Sequence, residues 1–550
     1  MVEKKPVFVR FRSSNLYVLV TVSLSLFTDM MVYSIIVPIS MYTLSIIHAI
    51  PDLHCLLTCI HVVPFVIDAL QNGKSPDSGP DPYHSEVSDG GSVSQDTGVL
   101  LALFAAGLLV GSPILGYLAD RMKHRQWPMV AGIAGLLGAT LLFLFANAYW
   151  ELLLARFLQG FSDACVWTLG MCLIADTFAL EELGTQMGRV LLFHSVGLVC
   201  GSPIGALYQS AGYKAPFILC ICLAGIDFVL RVFLVERRNR PAEWFQKEPV
   251  VNAPTIVPST LVNPMPEDDD SSSTKKKTKH KVTVLQLLSQ HRLIASLLLA
   301  FANGCVYNVF EPTLTVRLST EWGYNASQIG LVFLAQVIPT FVATPLAGVI
   351  SDKYGPKVVC FTTLVVCAIT MFLIGIPSNS TAGGIIPLIV IFAIQGFTAF
   401  AFITPVLPEL AYVVDHLNPD DGDSGQGMSY ALFNIAFGLG GLVGPLLGGF
   451  LYGRIGFFNM CVVMGAFLAA CCPYVFFFTG EPGKFIVRPQ DKKQALTAAM
   501  VQVEEEVAAE KQQLGVTTST RAMGDADSDE IQEVETHIPP TKEKDIRFVE

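Results

Sequence analysis

The sequence predicts an all-α membrane protein with twelve transmembrane helices, arranged as two pseudo-symmetric bundles of six helices. Three observations lead to this prediction. Of the 550 residues, 52% are hydrophobic and only 15% are charged, whereas soluble proteins carry about 25% charged residues. Twelve apolar runs are long enough to cross about 30 Å of hydrocarbon. One motif occurs twice at a spacing of 232 residues, which indicates an internally duplicated chain.

The apolar runs are numbered here as spans 1 to 12. They cover residues 15–47, 98–119, 127–147, 150–178, 187–210, 215–235, 293–318, 327–350, 357–377, 385–413, 427–452 and 456–479. Three polar segments flank or interrupt them, namely an outer loop at 68–96, a linker at 241–290 and a tail at 481–550. The tail is expected to be mostly disordered because it is highly polar. The predicted domains are an N-terminal bundle at 1–240 and a C-terminal bundle at 291–480.

The repeated motif joins span 2 to span 3 and span 8 to span 9. Each copy has a glycine that lets two helices approach closely. Each also has an aspartate that can accept bonds from a helix N-terminus or from nearby cations. The motif residues are Gly116, Asp120, Arg121 and Arg125 in the first copy, and Gly348, Asp352, Lys353 and Lys357 in the second. We predict that this motif gates a conformational change.

Charge in the loops predicts the orientation of the chain. Basic residues cluster in the two motif loops and after span 6, whereas the opposite loops carry single cations. Both termini are therefore expected in the cytosol, in a monomer of the plasma membrane or of an internal acidic compartment. Two glycosylation candidates, Asn325 and Asn379, then fall on the outer side.

Several ionisable residues lie inside apolar spans, where a charge costs about 2.5–3.5 kcal/mol. Asp29 lies in the middle of span 1 without a cation within a helical turn. Its carboxyl group must pair across helices, face a wet cavity or hold a proton. Glu311 precedes Pro312 in span 7, where a bend is expected to line a cavity. Arg156 in span 4 is either a counter-ion for an acid, which we favour, or an anchor that extends outward.

Further polar residues lie in spans 6 and 10. Glu409 and Asp415 lie toward the inner end of span 10 and are candidates for proton coupling, although Asp415 could equally be a boundary charge. Asp227 and Arg231 are four residues apart in span 6, so we interpret them as a structural pair.

Two spans contain glycines at four-residue intervals together with a proline. These residues are Gly201, Pro203 and Gly205 in span 5, and Gly440, Gly444, Pro445 and Gly448 in span 11. Such spacing gives a helix face that packs closely, and proline adds a bend. Because the two spans are equivalent in the duplication, we predict a hinge or a seal between the bundles.

Other functional classes lack support in the sequence. Much of the net charge of −11 resides in the polar segments, so nucleic-acid binding is not indicated. Cys55 and Cys59, flanked by His54 and His61, lack a second ligand pair and form a weak metal candidate. We find no nucleophile and base arrangement, so no catalytic residue, cofactor or metal is predicted.

These motifs together resemble those of the major facilitator superfamily. The stretches Gly116-x-Leu-Ala-Asp-Arg-x-x-x-Arg125 and Arg156-x-x-Gln-Gly160, with the glycine–proline motif of span 5, are similar to its drug:proton antiporter group with twelve helices. Further stretches resemble vesicular amine transporters, namely Asp29-Met-Met, Lys214-Ala-Pro-Phe217, Glu311-Pro-x-Leu314 and Tyr412-Val-Val-Asp415. The length and tails look more like fungal members, which often export drugs or secondary metabolites.

The resemblance implies an antiporter that exchanges a cationic or amphipathic organic molecule for protons within membrane lipid. It implies that Asp29 binds the substrate cation, that Glu311 and Asp415 handle substrate and proton, and that Arg156 is the family's arginine of span 4. Vesicular amine transporters pair a lysine in span 2 with an aspartate in span 11. Phe104 and Asn434 stand there in this sequence, so monoamine specificity does not follow. The alternatives are a nutrient facilitator or proton symporter, and a membrane sensor without transport.

Overall fold

A computed structural model describes residues 8–36, 90–122, 124–146, 148–205, 214–237, 283–324, 326–417, 425–481 and 483–487. Most of the predicted outer loop, nearly all of the linker and the tail beyond residue 487 lie outside these described residues. The same holds for the metal candidate at Cys55 and Cys59 and for the sequon at Asn325.

The N-terminal half consists of spans 1 to 6. They are the helices Asn15–Ile36, Gly90–Arg121, Gln126–Leu144, Tyr149–Thr177, Leu183–Gly205 and Lys214–Phe233, preceded by the short helix Val9–Arg12. Span 2 begins at Gly90 and not at residue 98. Apolar composition marks only the part of a helix that lies in hydrocarbon, and backbone hydrogen bonds carry this helix further into polar sequence.

The C-terminal half consists of spans 7 to 12. Span 7 comprises the helices His291–Asn308 and Phe310–Trp322, and span 8 comprises Ala326–Val337 and Thr340–Tyr354. Span 9 is the helix Pro356–Ile374, and span 10 comprises Ile386–Ile403 and Val406–Leu417. Spans 11 and 12 lie in the helical run Gln426–Phe478. That run has 53 residues, and its backbone leaves helical geometry at Gly456, where φ is 82°. A continuous helix of this length would measure about 80 Å, more than twice the membrane thickness. The break at Gly456 therefore separates span 11 from span 12.

The described residues account for twelve spans. Ten helical stretches are long and apolar enough to cross a membrane, and one of them is the double stretch of spans 11 and 12. Span 5 is the remaining helix, and it carries the polar residues Gln186, Arg189 and His194. The predicted twelve-helix fold is confirmed.

Prolines divide three spans of the C-terminal half. A proline ring clashes with the carbonyl group four residues earlier and lacks an N–H group. Span 7 accordingly breaks after Asn308, four residues before Pro312, so the bend expected beside Glu311 is present. Spans 8 and 10 break at Pro339 and Pro405.

Glycines let equivalent helices pack closely in both halves. A Cβ atom on Gly197 of span 5 would lie 2.4 Å from the carbonyl oxygen of Phe27 in span 1, and one on Gly444 of span 11 would lie 2.4 Å from that of Cys305 in span 7. Further glycines of the two predicted faces, Gly201, Gly440 and Gly448, make similarly close contacts. Pro203 and Gly205 lie in the last turn of span 5, and Pro445 lies inside span 11. The hinge or seal itself stays a prediction.

The ordered C-terminal half extends past the predicted boundary at residue 480. The backbone N–H of Val487 donates to the carbonyl of Tyr354 over 3.0 Å, and Lys357 Nζ donates to the carbonyl of Glu481 over 3.2 Å. The first residues of the predicted tail therefore pack beneath the loop between spans 8 and 9.

Candidate functional site

The first copy of the repeated motif joins the two halves. The carboxylate of Asp120 accepts hydrogen bonds from the backbone N–H groups of Gly427 over 2.7 Å and Met428 over 3.1 Å. These groups belong to the first turn of span 11, where N–H groups lack helical partners and the helix dipole is positive. A Cβ atom on Gly116 would lie 2.5 Å from that of Ala431, so the glycine permits this close approach.

The second copy makes the equivalent contact from the other half. Asp352 accepts bonds from the N–H of Gly184 over 2.9 Å, and from the N–H and hydroxyl of Thr185 over 2.6 Å each. These residues begin span 5, and a Cβ on Gly348 would lie 2.3 Å from the carbonyl oxygen of Gly184. The two copies hold the halves together on the side that carries loops 2–3 and 8–9, called here the motif side and predicted to be cytosolic.

The basic residues of the motif contact residues of their own half. Arg125 is fully buried, forms an ion pair with Asp176 at the end of span 4 and donates its backbone N–H to Glu236 over 3.0 Å. Arg121 is exposed and lies 4.1 Å from the ring centre of Tyr117, and Lys353 lies over the ring of Tyr354. Both motif aspartates bind a helix N-terminus, and Arg125 also lies within electrostatic range of Asp120.

The two candidate acids of span 10 also lie on the motif side. Glu409 forms a two-point ion pair with Arg292 of span 7, including an Nη2–Oε2 bond of 3.0 Å, and accepts the N–H of Gly480 over 2.9 Å. Asp415 is exposed near the end of the same span. The structure therefore does not bring either acid to Asp29.

Asn379 lies on the opposite side, where span 9 has ended. Its side chain is exposed, and its backbone N–H donates to Glu321 over 3.2 Å. Glycosylation there stays a prediction.

Asp29 lies on a polar stripe of span 1. Tyr17, Thr21, Ser25, Asp29 and Tyr33 follow one another at four-residue intervals, which keeps neighbouring members on adjoining parts of one helix surface. Asp29 is 2% exposed, and its carboxyl group lies within hydrogen-bonding range of that of Asp163 in span 4. A carboxylate has no hydrogen to donate, so a bond between two carboxyl groups requires a proton.

A buried ion pair lies one turn away. Arg231 and Asp227 of span 6 are 3.4 Å apart and fully buried, as expected for a structural pair. The hydroxyl group of Ser25 donates to Asp227 over 2.7 Å and accepts from Arg231 Nε over 3.1 Å. The pair thus fixes span 6 against span 1 without adding net charge near Asp29.

Arg156 is fully buried among aromatic rings. Its guanidinium lies 5.7 Å from the ring centres of Tyr33, Phe104 and Phe143, a distance at which cations are attracted to ring faces. Nη1 also donates to Gln159 over 3.1 Å. The side chain does not extend outward as an anchor, and it forms no ion pair with an acid of the described residues.

An aromatic cluster lies where the two halves meet. Trp167 of span 4 and His194 of span 5 have ring centres 5.2 Å apart, and His194 faces Phe400 of span 10 at 6.3 Å. Tyr307 of span 7 lies 5.5 Å from Phe400, and Phe433 of span 11 lies 6.4 Å from Trp167. These five rings are called the central aromatic cluster.

Two more predicted residues lie beside this cluster. Asn434, next to Phe433, donates to the Thr168 hydroxyl over 3.2 Å and so links span 11 to span 4. Glu311 is half-buried, and its carboxyl group lies within electrostatic range of the hydroxyl groups of Tyr33 and Tyr307. An acid of the C-terminal half therefore faces the polar stripe of span 1.

Sequence reasoning missed several of these residues. Asp163 is an acid in an apolar span, so the criterion that selected Asp29 also applies to it. The stripe of span 1 was visible as a repeated four-residue spacing. The central aromatic cluster gave no comparable signal, because Phe and Trp are frequent throughout membrane spans.

Comparisons with known proteins agree with this geometry. A family model described as Major Facilitator Superfamily matches residues 18–317 and 296–513. An uncharacterised MFS-type transporter of Schizosaccharomyces pombe is 27% identical, with 82% of this chain and 92% of that protein covered. The synaptic vesicular amine transporter of Rattus norvegicus is also 27% identical, with 70% and 67% covered. The human organic anion transporter MFSD10 (TETRAN) has a similar fold, with a TM-score of 0.56 at 16% identity and with 84% of this chain and 99% of that chain covered.

Proposed function

This chain belongs to the major facilitator superfamily, and we propose that it exchanges an organic cation for protons across a membrane. Membership makes it an integral multi-pass transporter of a small molecule and not an enzyme. The coupling to protons and the positive charge of the substrate are the parts that we propose.

The buried carboxyl group of Asp29 carries this proposal. A carboxyl group in an apolar environment is stable when it is protonated or when it is paired with a cation. Asp29 is 2% exposed, and its carboxyl group lies within hydrogen-bonding range of a second acid, Asp163. A proton and a substrate cation therefore compete for the same group, and such competition is what exchange requires.

The central aromatic cluster favours an amphipathic cation. Ring faces attract cations within about 6 Å and also provide apolar contact area. Trp167 and His194 come from the N-terminal half, whereas Tyr307, Phe400 and Phe433 come from the C-terminal half. A molecule bound among these rings would contact both halves at once and would respond to their relative movement.

The closed motif side fits one state of an alternating cycle. Asp120 and Asp352 hold the halves together there, so substrate has to enter and leave on the opposite side in this conformation. The other state requires both bonds to break.

Transport in proteoliposomes with an imposed pH gradient tests this function. A depletion screen of organic cations and anions should reveal cations that move against the proton flow. One unit of pH supports about tenfold accumulation if one proton is exchanged per cation. Asp29→Asn should fold but lose this accumulation, and Asp29→Glu should keep part of it with an altered pH optimum.

A matched control makes the same chemical change elsewhere. Glu151→Gln, in the first turn of span 4 and about three turns from Asp163, should transport like the parent. Movement of substrate in the same direction as protons would instead indicate a symporter, and absence of any flux would indicate a sensor. If Asp29→Asn accumulates cations as well as the parent does, the proposed role of Asp29 is wrong.

A second candidate substrate class is an organic anion, favoured by Arg156. Neither Nε nor Nη2 of this buried side chain has a hydrogen-bond partner among the described residues. In the same screen, anion uptake that is lost in Arg156→Gln but kept in Asp29→Asn would support this alternative.

A further inference from the structure

We propose that Asp163 is a second proton-coupling residue, which holds one proton jointly with Asp29 and releases it when the cation enters. This inference rests on the proposed exchange of a cation for protons. It assigns a role to a residue of span 4 that the motifs do not mark.

The geometry brings the two acids close together. Asp29 is 2% and Asp163 is 3% exposed, so both carboxyl groups are buried within the protein. Their carboxyl groups lie within hydrogen-bonding range of each other. Oδ2 of Asp29 and Oδ1 of Asp163 have no hydrogen-bond partner among the described residues. A bond between these groups therefore contains one proton, since neither carboxylate can donate without it.

The charged groups around the pair do not replace that proton. On span 6, Arg231 is already paired with Asp227, at 3.4 Å. Span 5 packs on span 1 through Gly197 and Gly201, and its His194 faces Trp167 and Phe400 instead.

Three further polar groups approach from other directions. Tyr33 follows Asp29 by one turn of span 1, Glu311 of span 7 approaches Tyr33, and Arg156 of span 4 lies among aromatic rings. None of them is hydrogen bonded to the acid pair among the described residues.

Charge balance explains why two acids suit an exchange. With one shared proton the pair carries a single negative charge. When a monovalent cation binds, the O–H bond breaks, the proton passes to water, and two carboxylates share one positive charge. The site then again carries a single negative charge. Because the net charge is the same before and after, cation binding adds no further charge to the protein interior.

Asp163→Asn separates this role from a structural one. An asparagine amide can donate an N–H to the Asp29 carboxylate, so the contact survives without a proton. This hydrogen bond stabilises the Asp29 carboxylate in place of the proton, so a cation can still bind to Asp29 but displaces no proton. The variant is therefore expected to keep cation binding and to lose proton coupling.

Proton release on cation binding provides the test. Tetraphenylphosphonium is a suitable probe because it carries a permanent charge and no titratable proton. We expect the purified parent to release about one proton per bound probe, whereas Asp163→Asn binds the probe without releasing one. We also expect Asp163→Asn to lose accumulation driven by a pH gradient by about tenfold or more, while exchange of labelled for unlabelled probe continues. Glu151→Gln should match the parent in each measurement.

The infrared carbonyl band of protonated carboxyl groups tests the shared proton without any substrate. Part of this band should disappear in both Asp29→Asn and Asp163→Asn. An unchanged band, or the same proton release in Asp163→Asn as in the parent, overturns the inference about Asp163. A parent that neither binds the probe nor transports any cation overturns the proposed function instead, and the infrared measurement still decides whether the pair shares a proton.

Discussion

Replacing Asp120 with asparagine should open the motif side of this transporter. The carboxylate of Asp120 accepts two backbone N–H groups of span 11, at 2.7 and 3.1 Å. Asparagine has nearly the same size but one carbonyl oxygen in place of two, and its NH₂ group then faces an N–H donor. The variant therefore keeps one neutral bond at most and loses the interaction of a negative charge with the helix N-terminus.

The size of this effect follows from those two bonds. A hydrogen bond to a charged group contributes about 1.5–3 kcal/mol and a neutral one about 1 kcal/mol. A negative charge at a helix N-terminus adds about 0.3–1 kcal/mol. Losing one charged bond, weakening the other and losing the charge at the helix N-terminus should destabilise the closed motif side by about 2–6 kcal/mol in total. The population ratio of open to closed states then rises by at least about 30-fold.

Cysteine labelling measures this shift directly. A cysteine in place of Met428 should react faster with a polar maleimide in the Asp120→Asn background, once labelling of the natural cysteines is subtracted. Transport should fall more than substrate affinity, because the binding residues are unchanged. Asp415→Asn, at an exposed aspartate on the same side, should leave the labelling rate unchanged. Equal labelling and equal flux in Asp120→Asn, at matched expression, would show that this bond does not gate the cycle.

Two further substitutions test the remaining contacts. Gly348→Ala places a Cβ 2.3 Å from the carbonyl oxygen of Gly184, so spans 5 and 8 must separate and labelling on the motif side should increase as it does in Asp120→Asn. Glu409→Gln removes the ion pair with Arg292, which is itself 28% exposed, and should lower the free energy of unfolding by about 1–3 kcal/mol while probe affinity stays within about twofold. A marked loss of affinity for the tetraphenylphosphonium probe would show that Glu409 contributes to substrate binding.

The fold and the position of the repeated motif could be predicted because both depend on local sequence. Apolar runs identify the membrane spans directly. The recurrence of Gly116 and Asp120 as Gly348 and Asp352 indicates the duplication. Which donor each aspartate binds was not predictable. Cations stand beside both aspartates in the sequence, whereas Gly427 and Gly184 become neighbours only when the two halves assemble.

The partners of the buried acids could not be predicted from the sequence either. Asp29 and Glu311 lie near the meeting surface, but Glu409, equally apolar in its surroundings, is held by Arg292 at the motif side. That partner lies 117 residues away, and hydropathy carries no information about it. The sequence shows that a carboxyl group lies inside an apolar span. Whether its partner is an arginine or another acid depends on how the helices pack in three dimensions.

Span 5 offers a physical link between the proton site and the gate. Its first residues, Gly184 and Thr185, bind Asp352, and Gly197 further along packs on the backbone of Phe27, two residues before Asp29. These contacts are about 20 Å apart on one helix. Because Gly197 packs directly on the backbone of Phe27, we expect a shift of span 1 to move span 5 with it. A ligand shifts such an equilibrium only by its difference in affinity for the two states. To open the gate, the exchange of a proton for a cation must therefore favour the open state by more than the contacts of Asp120 and Asp352 favour the closed one, and each hydrogen bond to these carboxylates contributes about 1.5–3 kcal/mol.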